Sequence, residues 1–231
     1  MILPLVITVD GPSASGKSTL CKLLANNLRW FHLDSGVIYR ILACLFVQYN
    51  VPMLKKFLTP ILRNLDFYFI YKNGLIYNLI KKHFSYRYIM SKKITYISSK
   101  LATIPYVRNY LLIKQRLFRR YPGLIANGRD MGTVVFPDAI IKIFLNATLE
   151  ARAYRRMIDL KKKGTDINYQ DVLNQIYKRD YRDKNRICSP LNPAHDAFIL
   201  DSSKLSISHV LKIVLQHIKN NNNFKIKSVY N

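Results

Sequence analysis

The run Gly11-Pro12-Ser13-Ala14-Ser15-Gly16-Lys17-Ser18-Thr19 follows directly on the apolar stretch Leu5-Val6-Ile7-Thr8-Val9, and Leu20, Leu23, Leu24 and Leu28 recur after it at helical spacing. A strand apolar on both faces belongs in the middle of a parallel sheet. The order of strand, small-residue loop and amphipathic helix then gives G-x-x-x-x-G-K-[ST] its confirming context. Small side chains let the backbone wrap an anion with its N–H groups pointing inward, while the helix behind presents its positive end. Lys17 would reach the β- and γ-phosphates of a nucleotide, and the Ser18 hydroxyl would be a magnesium ligand. Residues 11–19 are therefore the candidate donor site. The motif leaves the reaction open, because such loops serve GTPases, motor ATPases and small-molecule kinases alike.

Further short apolar runs read as core strands: Leu124 to Ala126, Ile140 to Leu145 and Ala197 to Leu200. Helical patterns lie between and after them, around 150–163, 168–182 and 206–219. This alternation predicts a three-layer α/β fold around a central parallel sheet. The middle of the chain breaks the pattern. Leu65 to Tyr71, then Lys72-Asn73-Gly74, then Leu75 to Ile80 reads as two strands joined by a tight turn, with Asn-Gly supplying the positive φ angles such turns need. We therefore expect a small antiparallel β insert at about 62–90, followed by helices over 91–103 and 106–120 separated at Pro105. The polar end from Asn220 reads as a frayed tail over 220–231.

The 231 residues suffice for one α/β domain with small insertions, and 49% hydrophobic with 22% charged residues excludes a disordered chain. The formal charge of +24, from 37 Lys and Arg against 13 Asp and Glu, would suit a polyanionic partner. Its cations are spread over the whole length, however, in a chain also rich in Asn, Ile and Tyr, the mix expected when coding drifts toward A and T. Cys21, Cys44 and Cys188 are odd in number and far apart, so neither a disulfide framework nor a zinc site is suggested. A reducing cytoplasm fits. No apolar run is long enough to span a bilayer, no leader pattern precedes the first strand, and the mature protein is expected to begin near Met1.

Three clusters bear on an acceptor. In Leu33-Asp34-Ser35-Gly36-Val37-Ile38-Tyr39-Arg40 a polar turn opens a helix, with Tyr39 and Arg40 in about its first turn. Asn127-Gly128-Arg129-Asp130-Met131-Gly132 follows a predicted strand end, where open α/β sheets bind ligands, so Arg129 and Asp130 face a substrate position. Lys178 to Arg186 holds five basic and two acidic residues, read either as a solvated helix end or as a phosphate clamp. In addition, Arg152 and Arg156 share one face of the helix over 150–163 and could close over donor phosphates while Arg155 turns aside. No apolar strand ends in the metal-binding Asp of the usual second P-loop motif, so Ser18 is the one metal ligand we assign.

The stretches "ITVDGPSASGKST", "LDSGVIYR", "LIANGRDMGTVVFPDA", "KIFLNA", "RAYRRM" and "RDYRDKNR", in this order over about residues 5–202, resemble the bacterial cytidylate kinases of the nucleoside monophosphate kinase group. The resemblance implies phosphoryl transfer from ATP to CMP or dCMP with Mg2+. It also implies a core (about 1–35, 121–150 and 190–219), a monophosphate-binding part carrying the β insert (about 36–120) and a short helical lid (about 151–189), all in one kinase domain over 1–219. Carried over by matching position, Arg40, Arg129 and Arg186 hold the CMP phosphate. Ser99, Arg108 and Asp130 meet the cytosine ring, Arg179 and Asp183 the sugar hydroxyls, and Ser35 and Tyr39 belong to the same acceptor site. Lys17, Arg129 and Arg186 are the expected catalytic groups. The implied enzyme is a cytoplasmic monomer with small-molecule substrates and neither a specific nucleic acid nor a membrane as partner. Two alternatives stay open: a P-loop kinase for UMP, AMP or a sugar acid, and a nucleic-acid-binding NTPase whose footprint is the positive charge.

Overall fold

The computed structural model describes residues 3–50, 52–65, 84–162, 164, 167–221 and 224. Five strands, β1 (Leu5–Asp10), β2 (Phe31–Asp34), β3 (Gly123–Asn127), β4 (Ile141–Asn146) and β5 (Phe198–Asp201), form one sheet in the order β2-β3-β1-β4-β5. β1 runs parallel to both β3 and β4, and β4 parallel to β5, with Ile7 opposite Ile125 on one side and Ile141 on the other. Every residue of β1 is buried, as its apolar run requires of a central strand.

Packing divides the chain into two compact units, residues 1–33 with 116–231, and residues 34–115. In the first, helix α1 (Lys17–Leu28) and the C-terminal helix α9 (Ile207–Asn220) cover one face of the sheet. Leu20 and Leu24 of α1 and Val210, Val214 and Ile218 of α9 close over Ile7, Val9, Ile143 and Leu145. Each such side chain contributes roughly 1.5–3 kcal/mol of burial free energy. Alternate residues of β1 point to the other face, where Thr8 and Asp10 meet a short π-helical turn at Met131–Val135. Two further helices, α7 (Leu149–Lys161) and α8 (Tyr169–Asn185), form a hairpin with a small core of Ala153, Ile167, Val172 and Ile176. The loop after this hairpin is pinned to the sheet by Lys142, whose buried ammonium lies 3.0 Å from each carboxylate oxygen of Asp196.

The second unit is helical among its described residues: α2 (Ser35–Tyr49), α3 (Lys55–Leu65), α4 (Tyr86–Ile89), α5 (Lys92–Leu101) and α6 (Pro105–Arg116, its last residue falling in the first unit). Ile38, Ile41, Leu42 and Leu45 of α2 are buried with Leu58, Ile61, Ile94, Leu101, Val107 and Leu111 of its neighbours. Cys44 lies among them, and burial pushes its thiol up to about 12 against the pull of the Arg40 charge. Cys21 is likewise buried in the first unit, as a small apolar residue would be.

Side chains cap most of the helices that frame the clusters read from the sequence. Asp34 accepts from Gly36 N at the start of α2, Ser91 from Ile94 N at α5, Thr148 from Ala151 N at α7, Asn168 from Gln170 N at α8 and Ser206 from His209 N at α9. Such a cap is worth about 1 kcal/mol. α1 instead starts on Gly16 with φ of 97° and no side-chain cap, leaving its first N–H groups to the loop it closes.

Several sequence expectations need correction. The β insert expected at 62–90 is not found among the described residues: its ends lie in α3 and α4, and of its predicted strands over 65–71 and 75–80 Leu65 is the last residue of α3 while the rest lie outside the described residues. The two helices expected over 91–103 and 106–120 are found as α5 and α6 with the break at 102–104, and Pro105 itself is the first residue of α6, where its missing N–H costs nothing. The tail does not simply fray after 219, since Phe224 packs its ring 5.8 Å from that of Trp30, while 222–223 and 225–231 lie outside the described residues. No helix among the described residues is long and apolar enough to cross a membrane.

Candidate active site

The loop from Gly11 to Ser18 turns sharply at the carboxyl end of β1, with φ of 143° at Gly11, 59° at Ala14 and 97° at Gly16. Gly11 is also forced by space, because a Cβ there would lie 2.1 Å from the backbone oxygen of Leu145. Lys17 is only 6% exposed, and its ammonium folds back over the loop to donate to Pro12 O at 2.5 Å and Ser15 Oγ at 3.3 Å. Ser15 Oγ itself donates to Pro12 O at 3.1 Å, so the loop keeps an internal tie that does not involve Lys17.

Two arginines of α7 reach the same region. Arg152 donates to Ala147 O at 2.9 Å and to Ser13 O of the loop at 3.3 Å, and pairs with Asp180 of α8 at 2.5 Å. Its guanidinium thus joins α7 to α8 and touches the donor loop. Arg155 turns away toward the end of β5, donating to Ser202 Oγ, Ser202 O and Ser203 O. Ser202 Oγ in turn lies 3.2 Å from Ser15 O and 3.0 Å from Asn146 O. Sequence reasoning missed Ser202, which no local motif marks, and assigned no role to Asp180 within the Lys178 to Arg186 cluster. Arg156 sits half-buried further along α7.

At the carboxyl end of β3 the chain gathers charge around Asp183. Arg129 Nε donates to Asp183 Oδ2 at 2.7 Å, and Arg179 Nε lies 3.9 Å from the same oxygen. Burial works to raise the Asp183 pKa, but the charges of Arg129, Arg179 and Arg186 outweigh it and hold the carboxyl below its usual range. Arg129 also donates to Gly128 O at 3.2 Å, and Arg186 to Ser189 O at 2.6 Å. Four of the predicted acceptor residues, from positions 129 to 186, are therefore one buried ionic cluster. Asp130 is buried beside Arg129 in the chain, at 4% exposure.

Asp10, which the sequence presents only as the last residue of a strand, ties the two loops together. Its carboxylate accepts from Met131 N at 2.9 Å and Gly132 N at 2.8 Å, holding the turn that follows Arg129 and Asp130. Complete burial pushes its pKa up to about 6, against the pull of those two N–H groups and of Lys17; nearby Asp130 pushes the same way as burial. Because the folded value lies above the unfolded one of about 4, the folded form binds more protons between those pH values, and this group's contribution to stability falls as pH rises across that window. A carboxyl 13C titration should give Asp10 a midpoint near 6, with the Met131 and Gly132 amide shifts moving in step. A midpoint near 4 would show that burial does not govern this group.

A second chain of polar contacts links β2, β3 and the donor loop. Asn127, the last residue of β3, is 3% exposed; its Nδ2 donates to Ser18 Oγ at 3.4 Å, and its Oδ1 lies 2.7 Å from His32 Nε2 on β2. Among the described residues no group of three His, Cys, Asp or Glu side chains comes together to hold a metal. Ser18 at the head of α1 remains the hydroxyl suited to a hard cation, and Mg2+ characteristically takes its other ligands from nucleotide phosphates and water.

The remaining predicted residues belong to the second unit. Ser35 is buried at the start of α2, and Arg40 curls back along that helix so that its Nη1 would lie 3.2 Å from a Cβ added at Gly36. Tyr39 is half-buried beside it in the chain. Ser99 on α5 and Arg108 on α6 are both buried, at 5% and 9% exposure, and Arg108 donates to Ala102 O at 3.1 Å. Their burial is the signal that distinguishes them from solvated helix residues, and it is invisible in the sequence.

The sequence model of the family described as Cytidylate kinase matches residues 7–220. A cytidylate kinase from Shigella boydii serotype 4 is 47% identical over 215 residues, covering 93% of this chain and 95% of its own, and one from Escherichia fergusonii is similar to the same extent. Among solved structures, a shikimate kinase from Bacteroides thetaiotaomicron is similar over 93% of this chain and 98% of its own, with a TM-score of 0.46 and 12% identity, so the fold assignment rests on the sheet itself. By the extent and identity of these matches the chain belongs to the cytidylate kinase family, enzymes that phosphorylate a nucleoside monophosphate.

Proposed function

We propose that this enzyme transfers the γ-phosphoryl group of ATP to CMP and dCMP, with Mg2+ accompanying the ATP. In this reading the backbone of Gly11 to Thr19 wraps the donor phosphates, and Lys17 exchanges Pro12 O and Ser15 Oγ for β- and γ-phosphate oxygens. Arg152 and Arg156 add positive charge from the lid. Arg40, Arg129 and Arg186 take the acceptor phosphate. Ser99, Arg108 and Asp130 read the cytosine ring, Arg179 and Asp183 the sugar hydroxyls, and Ser35 and Tyr39 complete the acceptor's surroundings. A base edge read by buried donors and acceptors rejects a ring that leaves them unpaired. Mg2+, held on the protein side by Ser18, would supply neutralising charge to the donor phosphates.

An oxygen of the CMP phosphate attacks the γ-phosphorus as the bond from that phosphorus to the β–γ bridging oxygen breaks, giving CDP and ADP. The attacking oxygen is already an anion, so no general base is required. Catalysis rests on alignment and on cations placed where charge spreads in the transition state. We read the enzyme as a cytoplasmic monomer acting on free nucleotides. The observation that carries this reading is the gathering of Arg129, Arg179 and Arg186 around one buried carboxylate, in the same compact unit as Lys17.

A nucleotide panel tests it. With ATP and Mg2+, CMP and dCMP should yield their diphosphates, while UMP should react more slowly and AMP hardly at all. Faster turnover of AMP, or ATP hydrolysis that needs RNA instead of a mononucleotide, would overturn the assignment.

A further inference from the structure

Asn127 stands where a carboxylate would be expected. P-loop NTPases commonly hold Mg2+ through the loop Ser or Thr and an aspartate of the second motif. Here the strand that ends beside Ser18 ends in a neutral amide. Oδ1 of the amide lies 2.7 Å from His32 Nε2 and can only accept, so with the hydrogen on Nε2 the two form a hydrogen bond and the NH2 group faces Ser18 Oγ. Asn127 is only 3% exposed, His32 is half-buried and Ser18 is exposed, so the amide reaches from the buried end of β3 to a hydroxyl open to solvent and to ligand.

We propose that Asn127, oriented by His32, is the positioning residue for the metal-binding hydroxyl of Ser18. Its NH2 group occupies one lone pair of Ser18 Oγ and turns the other toward the cation. The same neutral amide adds no charge of its own, so the protein without nucleotide holds Mg2+ weakly and the ion enters with the donor's phosphates. This inference rests on the reading of Ser18 as a metal ligand.

Binding of Mn2+, used as the spectroscopic stand-in for Mg2+, tests it on the whole protein without turnover. Removing a group that orients a metal ligand typically costs 10–100-fold in metal affinity. Asn127→Leu should therefore weaken Mn2+ binding in the presence of ADP by about tenfold or more, measured by electron paramagnetic resonance, while ADP affinity without metal stays within about twofold. Asn127→Asp should raise metal affinity and give Mn2+ binding even without nucleotide. His32→Gln, whose side-chain amide can still donate to Asn127 Oδ1, should keep most of the Mn2+ affinity that His32→Phe loses; a purely space-filling role for His32 would give the reverse order. Unchanged Mn2+ affinity in Asn127→Leu, with ADP still bound, would overturn the positioning role and leave the CMP assignment standing. If the unaltered protein binds ADP but ADP does not increase its Mn2+ binding, the metal role of Ser18 fails with it.

Discussion

Lys17→Ala should lower kcat for CMP phosphorylation by about 10³-fold or more, with little loss of thermal stability. Removing one preorganised donor from a transition state costs about 10²–10³ in rate, and Lys17 contributes a full positive charge in a site that excludes water. The stability half of the prediction comes from the loop itself. Ser15 Oγ already donates to Pro12 O, so the carbonyl that holds the ammonium keeps a partner when Lys17 is shortened. Removing a largely buried ammonium also relieves a desolvation penalty. Lys17→Arg should rescue poorly, because a planar guanidinium is not a compact point charge and the enclosed loop has little room for it. The measurement is kcat by coupled ADP release together with a melting curve. More than a tenth of the activity surviving in Lys17→Ala would sink the donor assignment.

What the sequence reveals of the fold depends on whether a segment's partners are local. β1, β3 and β4 are readable because central strands of a parallel sheet are apolar on both faces, and their runs are bounded by glycine, proline or polar residues; β5, an edge strand, is readable only because Phe198-Ile199-Leu200 is itself an apolar run. β2 is not readable: it is a four-residue edge strand in which only Leu33 is buried. α3 carries Pro60 within it, which disguises a helix from the sequence. Met131 to Val135 carries no helical pattern in the sequence, with two adjacent valines after a threonine, yet it coils where the Asp10 carboxylate at the end of β1 accepts from two successive N–H groups.

The site divides in the same way. Lys17 and Ser18 are legible because a phosphate loop is a contiguous motif, with strand, turn and helix in order. Arg129 and Asp183 are 54 residues apart and meet only once α8 is laid beside the end of β3. Asn127, His32 and Ser18 come from three separate elements, and nothing in the neighbourhood of any one of them announces the other two. Ser99 and Arg108 stand out in sequence only through family resemblance; the physical mark that separates them from ordinary helix residues is that both are buried.

The Arg129 and Asp183 pair allows substrate binding and fold stability to be separated. Arg129→Ala should lower kcat/KM for CMP by about 10³-fold, equivalent to about 4 kcal/mol of transition-state stabilisation, with KM for ATP nearly unchanged. Its effect on Tm should be smaller than that of Asp183→Ala. In Arg129→Ala the buried carboxylate still has Arg179 at 3.9 Å and the charge of Arg186 close by. In Asp183→Ala the guanidinium groups of Arg129 and Arg179 lose the carboxylate oxygen they share, and the charge of Arg186 adds to their repulsion. The pH response gives an independent check. Asp183 is held below its unfolded pKa, so its contribution to stability is complete above the unfolded value of about 4 and is lost as pH falls through the lower folded value. Without Arg129 that folded value rises, and acid unfolding should begin at a higher pH. If Arg129→Ala phosphorylates CMP at the full rate while melting earlier than Asp183→Ala, the cluster is a structural tie alone and the acceptor phosphate must be held elsewhere.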